Sequence, residues 1–78
     1  MELQFFSIYD RITGNYGNMF FAANIDDAKR RAGVAFKDNP YRGDFELYHC
    51  GAFNQEHGLL SAFDKPVFLC SVVEVIGE

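Results

Sequence analysis

The chain has 78 residues, 49% apolar and 17% aromatic, with seven Lys and Arg against eleven Asp and Glu for a formal net charge of -4. That length allows one domain, 1–78, and excludes a two-domain cofactor enzyme, while the apolar fraction and low charge density exclude an intrinsically disordered chain. A sequence pI near 5.0 excludes a polybasic coat for nucleic acid.

The N-terminal Met1-Glu2-Leu3-Gln4 carries neither the basic n-region nor the apolar run of a secretory signal. No stretch approaches the roughly 18–20 apolar residues of a membrane-spanning helix, so a cytoplasmic chain with no membrane partner is expected. Residues 3–9, rich in aromatic and β-favouring types, read as a strand. Asp10 to Asn18, with Gly14, Asn15 and Gly17, reads as a long turn, and Met19 to Ala23 as a second short strand. Asn24 is a good N-cap, with Asp26 and Asp27 where the helix dipole favours negative charge. From Ile25 to Lys37 the apolar residues Ile25, Ala28, Ala32, Ala35 and Phe36 step by three and four, which is one helical face. Gly33 weakens that helix by about 1 kcal/mol relative to Ala, and Asp38-Asn39-Pro40 ends it.

Asp44 to Phe53 is the clearest strand, with Gly51 marking a candidate bulge. Asn54 to Gly58 reads as a turn, Leu59 to Phe63 as the returning strand, Asp64-Lys65-Pro66 as a break, and the β-branched run Val67 to Ile76 as a last strand. The expected class is therefore α+β: an antiparallel sheet with one helix on one face, in the order β-β-α-β-β-β. One helix of this length covers only part of such a sheet. The aromatic remainder must meet solvent, a ligand or a partner, which points to a homo-oligomer with a dimer favoured.

Catalytic constellations are hard to find. His49 and Cys50 are adjacent and so point to opposite strand faces, and no third group orients them as a nucleophile and base. There is no G-x-S-x-G elbow, P-loop or G-x-G-x-x-G. His57 falls in a turn, and a structural zinc site would need about four spaced ligands. Cys50 and Cys70 lie in apolar runs outside any CxxC pair and read as small buried hydrophobes in a reducing compartment; a disulfide stays open if their strands are neighbours. The expectation is a protein that is not an enzyme, without cofactor or metal.

Charge placement is more informative. Residues 29–42 hold Lys29, Arg30, Arg31, Lys37 and Arg42 against Asp38 alone, a net +4, while residues 1–28 carry -3 and residues 43–78 carry -5. A cationic segment with Tyr41 beside it can follow a phosphate backbone while a base stacks, so Lys29, Arg30, Arg31, Lys37, Tyr41 and Arg42 form the candidate nucleic-acid site. The alternative is an ordinary solvated helix face, with Asp26 paired to Arg30 and Asp27 to Arg31 at i to i+4. The adjacent pairs Phe5-Phe6 and Phe20-Phe21 place one ring each on opposite sheet faces, and burial against a partner is favoured over base stacking for the ring left uncovered.

These residues also carry a family resemblance. Ile8-Tyr9-Asp10, Met19-Phe20-Phe21 with Asn24, and Ala28-Lys29-Arg30 come first; Asp44-Phe45-Glu46-Leu47-Tyr48, Gly51-Ala52-Phe53, Gly58, Phe63, Pro66 and Leu69 follow. In this order and spacing, over residues 6–70, the chain resembles the small nonstructural protein of gokushovirus-type microviruses, which are single-stranded DNA bacteriophages. The resemblance implies a phage protein made in the host bacterial cytoplasm and absent from the virion. It implies a DNA-binding role at the switch from duplex replication to single-strand synthesis for packaging. It supplies no catalytic residues. The rival expectation is an oligomeric protein-interaction module that acts on viral replication or assembly proteins without touching DNA.

Overall fold

The computed structural model describes residues 2–76. Met1 of the N-terminal tetrapeptide, and Glu78 among the acids of the C-terminal arm, lie outside the described residues. Strand β1 (Glu2–Asp10) is central, and the consecutive residues Phe5, Phe6 and Ser7 are all buried, on its two faces in turn. Gln4, Phe6 and Ile8 face one side, and Phe5, Ser7 and Tyr9 the other. The Asp10 carboxylate accepts from Ile12 N–H at 2.9 Å, and its carbonyl accepts from Gly14 N–H at 2.9 Å. Gly14 has a φ of 74°, which suits glycine in this tight turn. The turn thus closes sooner than the Gly/Asn-rich sequence suggested. Strand β2 (Asn15–Ala22) starts at Asn15, because a bulge after Ser7 lets Tyr9 pair with Tyr16 and Asp10 with Asn15.

Helix α1 (Ile25–Phe36) begins as the sequence indicated. The Asn24 side chain accepts from Asp27 N–H at 2.8 Å, and the Asp27 carboxylate accepts from Ala23 N–H at 3.1 Å, so two exposed amides of the helix start are satisfied. The helix buries Ala28, Ala32 and Gly33. A 3-10 turn at Arg42–Asp44 leads into β3 (Phe45–Asn54), which pairs with β1. The bulge expected near Gly51 is present. Register on both neighbours of β3 shifts around Cys50, so Phe6 pairs with His49 while Phe5 pairs with Gly51.

Strand β4 (Leu59–Ser71) joins two segments that the sequence presents as separate strands. The break at Asp64-Lys65-Pro66 survives as an excursion. Gly51 pairs with Ala62, the next paired position is His49 with Val67, and the four residues Phe63–Pro66 stand between. Because β4 is an edge strand, Pro66 removes no donor that a neighbour needs. The last run departs further from expectation. The strand stops at Ser71, and Val72–Val75 forms a 3-10 turn. Ser71-Val72-Val73-Glu74 is a capping box: Glu74 reaches back to Ser71 N–H at 3.1 Å. That local hydrogen bonding overrides the β preference of the valines.

The α+β class and the single helix on an antiparallel sheet are as expected. The sheet has four strands in the order β2-β1-β3-β4, so the element order is β-β-α-β-β. Helix and terminal turn lie on one face. Between them and the sheet sits a small core of Phe6, Ala22, Ala28, Ala32, Leu47 and Cys70. Phe6, Leu47 and Val72 are fully buried. Among the described residues no element covers the opposite sheet face.

Candidate functional site

The six residues of the candidate nucleic-acid site do not form one strip. Positions two apart on a helix do not share a face, and Lys29 and Arg31 accordingly diverge. Lys29 is half-buried on the packed flank, close enough to Cys70 to act on its thiol. Arg30 and Arg31 converge instead on one acid. Arg30 Nη2 lies 2.7 Å from Asp27 Oδ1, and Arg31 Nε lies 3.1 Å from Asp27 Oδ2. The Ala23 amide and these two guanidinium groups hold the Asp27 carboxyl down at about 2. Asp26, the partner the spacing offered to Arg30, takes no part. Arg30 is nonetheless 77% exposed, so its charge is presented outward.

The remaining three follow the helix. Lys37 is its exposed C-cap. Tyr41 is 68% exposed, and its amide donates to Asn39 Oδ1 at 2.8 Å. Arg42 Nη1 donates to the Asn39 carbonyl at 3.1 Å. Asn39 therefore organises a loop that shows a bare phenol ring beside a guanidinium group. The site splits into an Asp27-centred pair and an Asn39-centred pair, with Lys37 between them in sequence and Lys29 apart. Arg11, from the first turn, adds a further cation held at 3.7 Å from Asp44.

The other sheet face carries the feature that sequence reasoning only half anticipated. It is aromatic from edge to edge. Tyr9 and Tyr16 lie with ring centroids 4.8 Å apart, Tyr16 and Tyr48 at 5.3 Å, and Tyr48 and Phe68 at 5.6 Å. Phe21 continues the layer at 6.0 Å from Phe5 and 5.8 Å from Phe53. Such offset and edge-on contacts suit the ring quadrupoles. Phe5 is only 3% exposed although no element covers it, because its ring lies over Gly51. The Tyr48 hydroxyl donates to Glu46 Oε1 at 3.3 Å, and partial burial with that acid alongside pushes the phenol up. The signal in the sequence was the i, i+2 alternation: Phe5 and Tyr9 on one strand, Glu46 and Tyr48 on another.

A cleft of about 600 Å³ opens between α1 and the β1–β2 half of the sheet. Phe20, Phe36 and Phe45 line it with Arg31 and Asp10, and the edge-strand residues Tyr16, Met19 and Phe21 also border it. His49, the first enzymatic candidate, lies elsewhere. Its ring stacks on Phe6 at 4.8 Å, Nε2 lies 2.8 Å from Gln4 Oε1, and Phe63 closes edge-on at 4.7 Å. That is a satisfied histidine packed at the rim of the core. Cys50 and Cys70 are both free thiols, and burial pushes each of them up. Among the described residues no group of three or more His, Cys, Asp and Glu side chains could hold a metal ion. Among the described residues no helix is long and apolar enough to cross a membrane.

Fold and surfaces together define a small two-layer α+β module, with the cation-rich segment 29–42 on its helix side and an aromatic layer on its bare sheet side. A family model described as Phage ORF5 protein matches residues 3–75, and the chain belongs to that phage protein family. No curated protein and no solved structure matches the chain.

Proposed function

We propose that this phage protein is a nonstructural accessory factor of gokushovirus-type genome replication, made in the host bacterial cytoplasm, that contacts single-stranded DNA from its helix side at the switch to single-strand synthesis for packaging. The observation that carries this reading is the Asn39-organised loop. It holds exposed Tyr41 beside Arg42, one turn beyond Lys37 and within the +4 segment. A ring for base stacking and charges for phosphates are the two parts that sequence-tolerant strand binding uses. Arg30 extends the cationic surface along the helix. The binding is weak and salt-sensitive, because Asp27 already neutralises part of the Arg30 and Arg31 charge. No catalytic step, cofactor or metal enters this reading.

Fluorescence anisotropy with a labelled oligonucleotide tests it. Binding at about 50 mM salt should weaken with a slope of about 0.7 per phosphate contacted in a log–log plot. An Arg30→Glu/Lys37→Glu variant should lose it, and Tyr41→Ala should weaken it at every salt concentration. Absence of binding at low salt, or an unchanged double variant, refutes the reading. The Asp27 clamp favours a second reading, in which the arginines serve the helix and the chain is an interaction module for viral replication or assembly proteins without DNA. That reading predicts no oligonucleotide binding at any salt concentration.

A further inference from the structure

We infer that the bare face of the sheet is the surface through which two copies of this chain pack face to face. The inference goes beyond the DNA contact and does not depend on it. Tyr16, Met19, Phe21, Leu60 and Phe68 each keep between 40% and 54% of their surface exposed. With about 200 Å² per large side chain, these five alone offer about 500 Å², and half-buried Tyr9, Tyr48 and Phe53 between them raise the patch toward the roughly 800 Å² per partner of a standard interface. That stands at or above the upper end of the about 300–600 Å² that the largest apolar patch of a typical monomer exposes.

Charge decides the occupant. A strand of nucleic acid needs cations beside the rings it stacks on. Here the inward and outward alternation puts no Lys or Arg among the paired residues of this face, and its one ionised group, Glu46, accepts from Tyr48. A face with almost no charge is complementary to itself, and a two-fold axis through it brings the same aromatic layer onto both partners. Two such sheets stack at about 10 Å with their side chains interdigitated. The two helices, with their cations, are then left on the outer sides of a four-layer dimer. The β4 edge is guarded against lateral pairing by Asp64, Lys65 and Pro66, whereas β2 has no charged residue and no proline. Edge pairing through β2 is therefore the competing geometry that the experiment must separate.

Sedimentation velocity without DNA, from about 1 to 100 µM protein, reads the association directly. The wild-type chain should be a dimer. Phe68→Glu on β4 and Phe21→Glu on β2 lie on opposite edge strands of the same face. Each should weaken dimerisation at least about 30-fold, as expected for a charge buried in a hot spot. Val34→Glu, on the exposed side of α1, should leave it unchanged. Circular dichroism checks that each variant is folded, and Phe68→Ser replaces Phe68→Glu if the latter is not. A monomeric wild-type chain at 100 µM overturns the inference. So does a dimer that survives substitution at Phe68 while breaking with Met19→Pro, since that outcome assigns the contact to the β2 edge.

Discussion

Gly33 is where the sequence and the structure predict opposite signs for one substitution. A glycine inside a helix costs about 1 kcal/mol relative to alanine, so Gly33→Ala should stabilise a freely exposed helix. Here the backbone of the terminal 3-10 turn lies directly on Gly33. An added Cβ would overlap the Val75 carbonyl oxygen and stand 3.0 Å from the Val75 carbonyl carbon and 3.4 Å from Ile76 Cα. Backbone atoms cannot swing aside as a side-chain tip can, so the turn must retreat. That turn carries Val72, which is 0% exposed, and half-buried Val75. Overpacking of a closed core costs about 1–3 kcal/mol, and fully losing the burial of one such valine costs about 1.5–3 kcal/mol. Against the gain of about 1 kcal/mol in helix propensity, losing that valine's burial leaves a net destabilisation of about 0.5–2 kcal/mol. For a domain of this size that lowers Tm by about 2–16 °C. Thermal unfolding followed by far-UV circular dichroism measures it. Val34→Ala is the matched control: at the next position, 74% exposed, it should gain a few tenths of a kcal/mol. A Gly33→Ala protein that melts above wild type would show that the turn does not pack on the helix as described.

Three further outcomes follow from the same structure. Val72→Ala should cost about 1.5–3 kcal/mol in urea unfolding, because two methyl groups leave a fully buried site; a loss below about 0.5 kcal/mol would place the terminal turn outside the core. Gly51→Ala sets a Cβ 2.6 Å from Phe5 Cζ and 2.8 Å from its Cε1 beneath a buried ring, so it should cost about 1–3 kcal/mol and alter the near-UV aromatic spectrum. Asp27 is held near 2, below its ordinary 3.8, so its contribution to stability is complete above pH 3.8 and is lost as the pH falls through 2. Asp27→Asn should flatten the acid limb of the stability profile across that window and, by releasing Arg30 and Arg31, tighten oligonucleotide binding at low salt; an unchanged acid limb would refute the clamp.

The parts of the fold that were legible in the sequence are those fixed by local chemistry. Asn24 caps α1 because its extended backbone brings the side-chain oxygen to the Asp27 amide, and β1 sends successive side chains to two faces with different fates. The parts that were not legible depend on contacts distant in sequence or on a choice between local options. Asp26 and Asp27 both have an arginine at i+4, and spacing alone does not reveal that Asp27 would take Arg30 at i+3 as well. The run Val67 to Ile76 has β composition throughout, yet Ser71 and Glu74 close a capping box inside it. Ser71 and Glu74 stand at the S-x-x-E spacing of a capping box, a local signal that the β composition of the run conceals. The excursion at Phe63–Pro66 looked like a chain break because proline and two charges usually end a strand; an edge position tolerates them. For the candidate site, the cationic segment was visible from composition, but its division between Asp27 and Asn39 required three dimensions.

The net charge of -4 takes on a different meaning once the two faces are distinguished. The bare sheet face carries one acid and no cation among its paired residues, so apolar burial is opposed there by the cost of covering Glu46 and the Tyr9, Tyr16 and Tyr48 hydroxyls. The helix side carries the +4 segment, and in a face-to-face dimer it stays exposed on both outer surfaces. Self-association and DNA contact therefore do not compete for the same residues. If both occur, one strand could be met by cations from only one protomer at a time, and dimerisation would raise affinity by linking two weak sites rather than by merging them. A Phe68→Glu monomer should then retain binding to a short oligonucleotide while losing the avidity of the wild-type chain on a long one. Equal losses on both lengths would mean that the cations of the two protomers form a single groove, and would overturn the face-to-face arrangement.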